Sequence, residues 1–142
     1  MCMATHPARA AAATSHSEAE TSLTKVAPAA RAQAAGVDEV WVDPGIGFGK
    51  TTEHNLSLLR HLPELAEAAA AAGCAGVLVG ASRKRFLGVL AAPPGAEPAG
   101  VEDRFEGSLA TAALAMVAGV SMVRVHDVAA TVQAARLYGP AA

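Results

Sequence analysis

Cysteine is nearly absent from this 142-residue chain: Cys2 and Cys74 are its whole complement. Two cysteines build no disulfide framework, and their scarcity points to a reduced, cytoplasmic protein. Aromatic residues are equally scarce, at 4%, so the core has few large side chains to draw on. Charged residues reach only 17% and balance to a net charge of −2, which leaves no basic face for nucleic acid. Long apolar runs are missing too. The stretch from Glu67 to Gly80 is alanine- and glycine-rich, too short and too weak to span a bilayer. The first residues hold no leucine-rich core of a secretory signal. What the chain does have is apolar character, at 52% of residues, which excludes disorder throughout. Alanine supplies about half of that figure and buries little area per side chain, so the expected core is thin.

Met1 to Thr24 holds Ala, Thr, Ser and His with almost no large apolar residue and is expected to be a disordered tail. The domain is expected over residues 25–142. Lys25 to Ala35 reads as the end of a helix with Gly36 as its C′ residue. Glu39 to Asp43 is a short β-rich run that stops at Pro44-Gly45. Thr51 or Thr52 caps the next helix, with Glu53 in the first turn, where the helix dipole favours an acid. Leu56, Leu59 and Leu62, with Leu58 beside them, form its apolar stripe. Pro63 suits the first turn of a second helical piece. Gly76 to Gly80 is a buried strand, Ser82 to Leu87 begins a helix, and Ala92 to Gly100 is a flexible loop. Gly107 to Gly119 is a buried helix and Ser121 to His126 a third strand. Asp127 caps a last helix. Strand and helix alternate three times, the pattern of parallel βαβ units with ligands at the strand C-termini.

Polar residues follow each strand. The loop Pro44 to Thr51 invites a nucleotide reading, but Pro44 stands where a phosphate loop needs its first glycine, and Lys50 occupies the third glycine of a dinucleotide fingerprint. Asp43 is either a turn cap or an acceptor for paired N–H groups on the amidine edge of a flat heterocycle. Ser82-Arg83-Lys84-Arg85 is either a solvated basic turn or an anion-binding rim at a helix start. Arg124 and His126 lie two apart and share a strand face. Arg124 either pairs with Asp127 or forks onto phosphate oxygens, with His126 as a further donor.

Five segments carry a family resemblance: Asp43 to Lys50, His54-Asn55, Gly80 to Gly88, Gly107 to Ala110, and Arg124 to Val128. In this order and spacing they resemble dihydropteroate synthase, over about Gly36 to Arg136. The tail Met1 to Thr24 carries no such resemblance. The family is a TIM (β/α)8 barrel of folate biosynthesis. It condenses p-aminobenzoate with 6-hydroxymethyl-7,8-dihydropterin diphosphate and releases diphosphate. The resemblance implies an α/β fold, a partial barrel of three parallel strands each followed by helix, from the C-terminal portion of such an enzyme.

By the same resemblance, Asp43 hydrogen-bonds the pterin ring. Lys84 reaches the pterin carbonyl and ring nitrogen. Arg124 stacks on the pterin and, with His126, holds the leaving diphosphate. Gly47 and Phe48 line the aminobenzoate pocket, with Ser82 and Arg83 near it. Lys84, Arg124 and His126 are the catalytic candidates. The family implies magnesium, whose protein ligand is not in this chain, a homodimer in the complete enzyme, and sulfonamides as aminobenzoate mimics. A complete member is nearly twice as long. Its first strands carry the metal-binding asparagine, further pterin contacts and two mobile loops, none of which is recognisable in Met1 to Ala35. Two other readings follow: a non-catalytic pterin- or phosphate-binding half-barrel, and part of a pterin-binding methyltransferase, against which the Ser82-Arg83-Lys84 run argues.

Overall fold

A computed structural model of the protein describes residues 26–138. The expected tail, Met1 to Thr24, lies outside them. Helix α1 (Val26–Ala34) ends as its sequence implies: Gly36 takes φ +90°, and Val37 N–H donates to the Ala32 carbonyl at 3.1 Å. Gln33 Nε2 ties this end to the Gly73 carbonyl at 2.7 Å.

Strand β1 is Trp41–Val42, shorter than the expected run from Glu39. Its partner starts only at Gly76, and at Pro44 the chain has no N–H to donate to a ladder. Helix α2 (Thr52–Arg60) is capped by Thr51, whose side chain accepts from the His54 N–H at 3.2 Å. Helix α3 (Leu62–Ala71) follows directly, with Pro63 in its first turn. Together they bury Leu58, Leu59, Leu62, Leu65 and Ala69, while Leu56 packs half-buried at the margin. Strand β2 (Gly76–Val79) buries Val77 and Val79.

Helix α4 (Arg85–Ala91) starts three residues later than expected, because Ser82 and Arg83 form a turn and Lys84 is still extended, with φ −70° and ψ 152°. After the 92–100 loop, a single 3₁₀ turn (Glu102–Arg104) leads into helix α5 (Phe105–Val117). Strand β3 is only Met122–Val123, so Arg124 and His126 lie beyond it rather than within it. Helix α6 spans Val128–Tyr138.

The three strands form one parallel sheet in the order β1-β2-β3. Trp41 faces Gly76 and Val42 faces Val77; Leu78 faces Met122 and Val79 faces Val123. Parallel neighbours need crossovers, which α2–α3 and α4–α5 supply. The core gathers β2 with Ile46, Phe86, Leu87, Ala115 and Val120. Because the strands run the same way, the residues that follow them (Asp43, Ser82 to Lys84, Arg124 to Asp127) come out on one rim. Among the described residues no helix is long and apolar enough to cross a membrane.

Candidate active site

The β1 loop is shaped by a buried asparagine. Asn55 lies one turn before Leu58 and Leu59, on the apolar face of α2, and is 1% exposed. A polar side chain there must find partners. Its Oδ1 accepts from the Gly47 N–H at 2.6 Å, and its Nδ2 donates to the Thr51 carbonyl at 2.7 Å. Lys50 folds back onto the same loop, donating to the Gly45 carbonyl at 2.8 Å. Asp43 Oδ1 accepts from the Gly45 N–H at 2.7 Å, so the turn-cap role is real. Its Oδ2 takes no hydrogen bond from the described residues, and the residue is exposed.

Lys84 crosses from the β2 loop into this one. Its Nζ donates to the Ile46 carbonyl and sits 4.0 Å from the centroid of the Phe48 ring. Gly47, at φ +78°, is where a Cβ would collide with the Lys84 stem. Phe48 is otherwise 65% exposed, an apolar ring held up beside a cation. Partial burial pushes the Lys84 ammonium below the ordinary lysine value, Asp43 pulls it back up, and Arg124 and Lys50 add to the fall. Arg124 lies over Gly80, where a Cβ would meet its Nη2 at 2.9 Å. Its guanidinium donates to none of the described residues. Asp43, Gly47, Phe48, Lys50, Lys84 and Arg124 are thus one electrostatic neighbourhood: three cations, one carboxylate and a ring.

The remaining predicted residues form a second group beside it. Ser82, 7% exposed, has its Oγ 3.0 Å from His126 Nδ1 and 3.2 Å from the His126 N–H, which donates to it. Asp127 pairs with Arg83, at 2.8 Å from Nη2 and 3.3 Å from Nε, and not with Arg124. That bond holds the Asp127 carboxyl below its ordinary range and raises the Arg83 pKa. Arg83 also reaches Glu102 at 3.4 Å. The anion-rim reading of the 82–85 run therefore changes. Lys84 is the N-cap of α4 and Arg85 its exposed first residue, but the Arg83 guanidinium is already occupied by acids, which leaves Lys84, beside Arg124, as the cation this run brings to the Asp43 neighbourhood.

Arg83 has φ +58°, alone among the described non-glycine residues in that region. Such a conformation costs about 1–3 kcal/mol and persists only when its surroundings enforce it. The Arg83 N–H donates to Ser108 Oγ at 2.9 Å, and its carbonyl accepts from Arg104 Nη1 at 2.9 Å. Asn55, Arg104 and Ser108 went unrecognised as site residues in the sequence. For Asn55 the signal was available, as an amide on a leucine face. For Arg104 and Ser108 nothing local marks the partner, which is 21 and 25 residues away.

This arrangement can place cations against an anion, offer a carboxylate oxygen to N–H donors, and lay a flat ring beside Phe48. The sequence model of the family described as pterin binding enzyme matches residues 1–126. The chain belongs to the pterin binding enzyme family. The match begins at Met1, which corrects the expectation that the first 24 residues share no resemblance with the family.

Among curated pterin-binding relatives, the dihydropteroate synthase of Mycobacterium leprae is 44% identical over 111 residues, covering 77% of this chain and 37% of that protein. The inactive dihydropteroate synthase 2 of the same organism is 47% identical over 107 residues, covering 74% and 33%. A solved structure of the Xanthomonas albilineans dihydropteroate synthase in complex with 7,8-dihydropteroate superposes with a TM-score of 0.73 at 40% identity, covering 87% of this chain and 44% of that one. The chain thus spans about a third of the length of these curated relatives, and its three-stranded α/β unit corresponds to part of a dihydropteroate synthase barrel.

Proposed function

We propose that this chain carries part of a dihydropteroate synthase site of folate biosynthesis. The reaction joins p-aminobenzoate to the methylene carbon of 6-hydroxymethyl-7,8-dihydropterin diphosphate, giving 7,8-dihydropteroate and diphosphate. The observation that carries this reading is Lys84, held between the Ile46 carbonyl and the Phe48 ring and facing Asp43, Lys50 and Arg124. The breaking C–O bond leaves a diphosphate anion and a cation-like carbon. Preorganised cations on the departing oxygens stabilise that charge separation.

In this reading Asp43 Oδ2 accepts from the pterin amidine edge, and Lys84 donates to the pterin carbonyl and ring nitrogen. Arg124 stacks on the ring and holds the diphosphate with His126. Gly47, Phe48, Ser82 and the Arg83 backbone border the aminobenzoate. The amine lone pair forms the new C–N bond as the diphosphate leaves with the C–O electron pair, and the alkylated nitrogen then gives up one proton to solvent. The described residues contain no group of three or more His, Cys, Asp or Glu that could hold a metal ion, and no step here runs through one. The reading places the protein in the cytoplasm and, as a complete enzyme, in a homodimer.

The test is calorimetric titration of the 142-residue chain with p-aminobenzoate, with and without diphosphate and a pterin, followed by an assay for dihydropteroate. The expected result is aminobenzoate binding that needs pterin or diphosphate, displacement by a sulfonamide, and loss of both in Lys84→Ala and Arg124→Ala. Aminobenzoate binding that ignores the pterin, or turnover that survives in both variants, overturns the assignment. A second reading, binding without turnover, is favoured by the inactive relative and by two sheet edges that carry no further strand among the described residues. It predicts the same titration with no dihydropteroate formed.

A further inference from the structure

Ala81 to Lys84 is a tight turn closed by the Lys84 N–H on the Ala81 carbonyl at 3.2 Å. Arg83 occupies its third position with φ +58°, where turns of this kind ordinarily use glycine. The turn sends consecutive site residues to different places: Ser82 to His126 on one side, Lys84 to Ile46 and Phe48 on the other. That divergence depends on residue 83 staying left-handed.

Both polar groups of the Arg83 backbone are held from the start of α5. Ser108 Oγ accepts its N–H at 2.9 Å and donates to the Arg104 carbonyl at 2.5 Å. Arg104 Nη1 donates to the Arg83 carbonyl at 2.9 Å. The rest of the Arg104 guanidinium is anchored on the Ala99 carbonyl, by Nε at 3.0 Å and Nη2 at 2.8 Å. Ala99 N–H in turn donates to the Gly88 carbonyl at 3.0 Å. The 92–100 loop, expected to be flexible, is therefore fastened at its far end and serves as the abutment for Arg104.

We propose that Arg104, with Ser108, is a positioning residue of this site, clamping the Arg83 backbone in its left-handed conformation so that Ser82 and Lys84 point into neighbouring loops. Arg104 suits the task because one planar guanidinium spans two carbonyls; a lysine is a single point donor and cannot hold both. The consequence for ligand rests on the proposed function, but the clamp itself is a statement about geometry and is read without ligand.

The chain has three lysines, Lys25, Lys50 and Lys84. Reductive ¹³C-methylation gives each an NMR signal, assigned by Lys→Arg variants, and pH titration reads the surroundings of Lys84. In wild type, Lys84 is expected to titrate below the ordinary lysine value, because burial lowers it first, Asp43 opposes the fall, and Arg124 and Lys50 add to it. In Arg104→Ala it should move up toward an exposed lysine, and Arg104→Lys should not restore it. Arg83→Gly added to Arg104→Ala should bring it back down, because glycine adopts the left-handed turn without help. Ser108→Ala, a milder change, should shift it in the same direction by less and covers the case in which Arg104→Ala does not fold.

In the pterin and aminobenzoate assay, Arg104→Ala should cost about 10²-fold in turnover, the scale of an ångström's misplacement. A Lys84 titration unmoved in folded Arg104→Ala or Ser108→Ala overturns the clamp, as does a double variant no different from Arg104→Ala alone. Absence of pterin-dependent binding in wild type overturns the functional reading instead, and the titration still judges the clamp.

Discussion

Asn55 and Asp127 do opposite kinds of work at the level of single side chains. Asn55 is buried and hydrogen-bonded to backbone groups at both ends of one loop. Asn55→Ala leaves the Gly47 N–H without its acceptor and is expected to lower stability by about 1–3 kcal/mol in urea denaturation. A loss within error of zero would mean that water replaces the amide. Asp127 is an electrostatic tie whose partner, Arg83, holds its pKa down. A carboxylate with a depressed folded pKa contributes stability above its unfolded value, about 3.9, and loses it as pH falls through the folded value. Asp127→Asn should therefore flatten the acid limb of a melting-temperature profile below about pH 4. An unchanged acid limb would show that the pair contributes nothing. Lys84 runs the other way: its pKa is lowered, burial first, so its cost is present below the folded pKa and is relieved as pH rises toward the ordinary lysine value.

Among the elements, the loop between β1 and α2 is the most exacting. Gly47 is left-handed at φ +78°, and any Cβ there enters the Lys84 stem. Gly47→Ala is expected to cost about 1–3 kcal/mol in backbone strain and to expel Lys84 from the Phe48 face. Its signature is an upward shift of the Lys84 titration together with loss of pterin-dependent binding; retention of both would show that the loop can re-form around a methyl group. Several helix ends were readable beforehand. The Thr51 cap, Pro63 in a first turn and Gly36 at a helix end follow from local chemistry that needs no distant partner. The helix expected at Ser82 was displaced to Arg85 because the left-handed Arg83 is enforced by residues more than 20 positions away.

The whole molecule is a three-stranded parallel sheet whose outer strands, β1 and β3, have no further strand among the described residues. An apolar groove of about 360 Å³ runs beside β1, along Pro28, Ala29, Ala32, Val40 and Trp41. Another of about 400 Å³ lies between β3 and α6, along Met116, Val123, Val128 and Val132. Open edges flanked by apolar grooves invite pairing with other chains. The isolated 142-residue chain is expected to self-associate, with an average mass in sedimentation equilibrium that rises from micromolar to hundreds of micromolar concentration. A constant monomer mass with a sharp, cooperative melt would show that the edges are adequately protected.

The alternation of strands and helices, the glycine-rich loop, and the motifs around Asp43, Lys84 and Arg124 were legible in order along the chain. Each is set by local backbone preference or by a short pattern of residue types. Spacing alone did not say which cation faces the rim; only the family resemblance singled out Lys84 and Arg124. From spacing, Arg83, Lys84, Arg85 and Arg124 were equivalent, and Asp127 could have belonged to Arg124. Folding brings Asp127 to Arg83, seats Lys84 on Phe48, and lays Arg124 over Gly80. These pairings join residues tens of positions apart, and a charge finds its partner through distance in space, which sequence spacing does not encode.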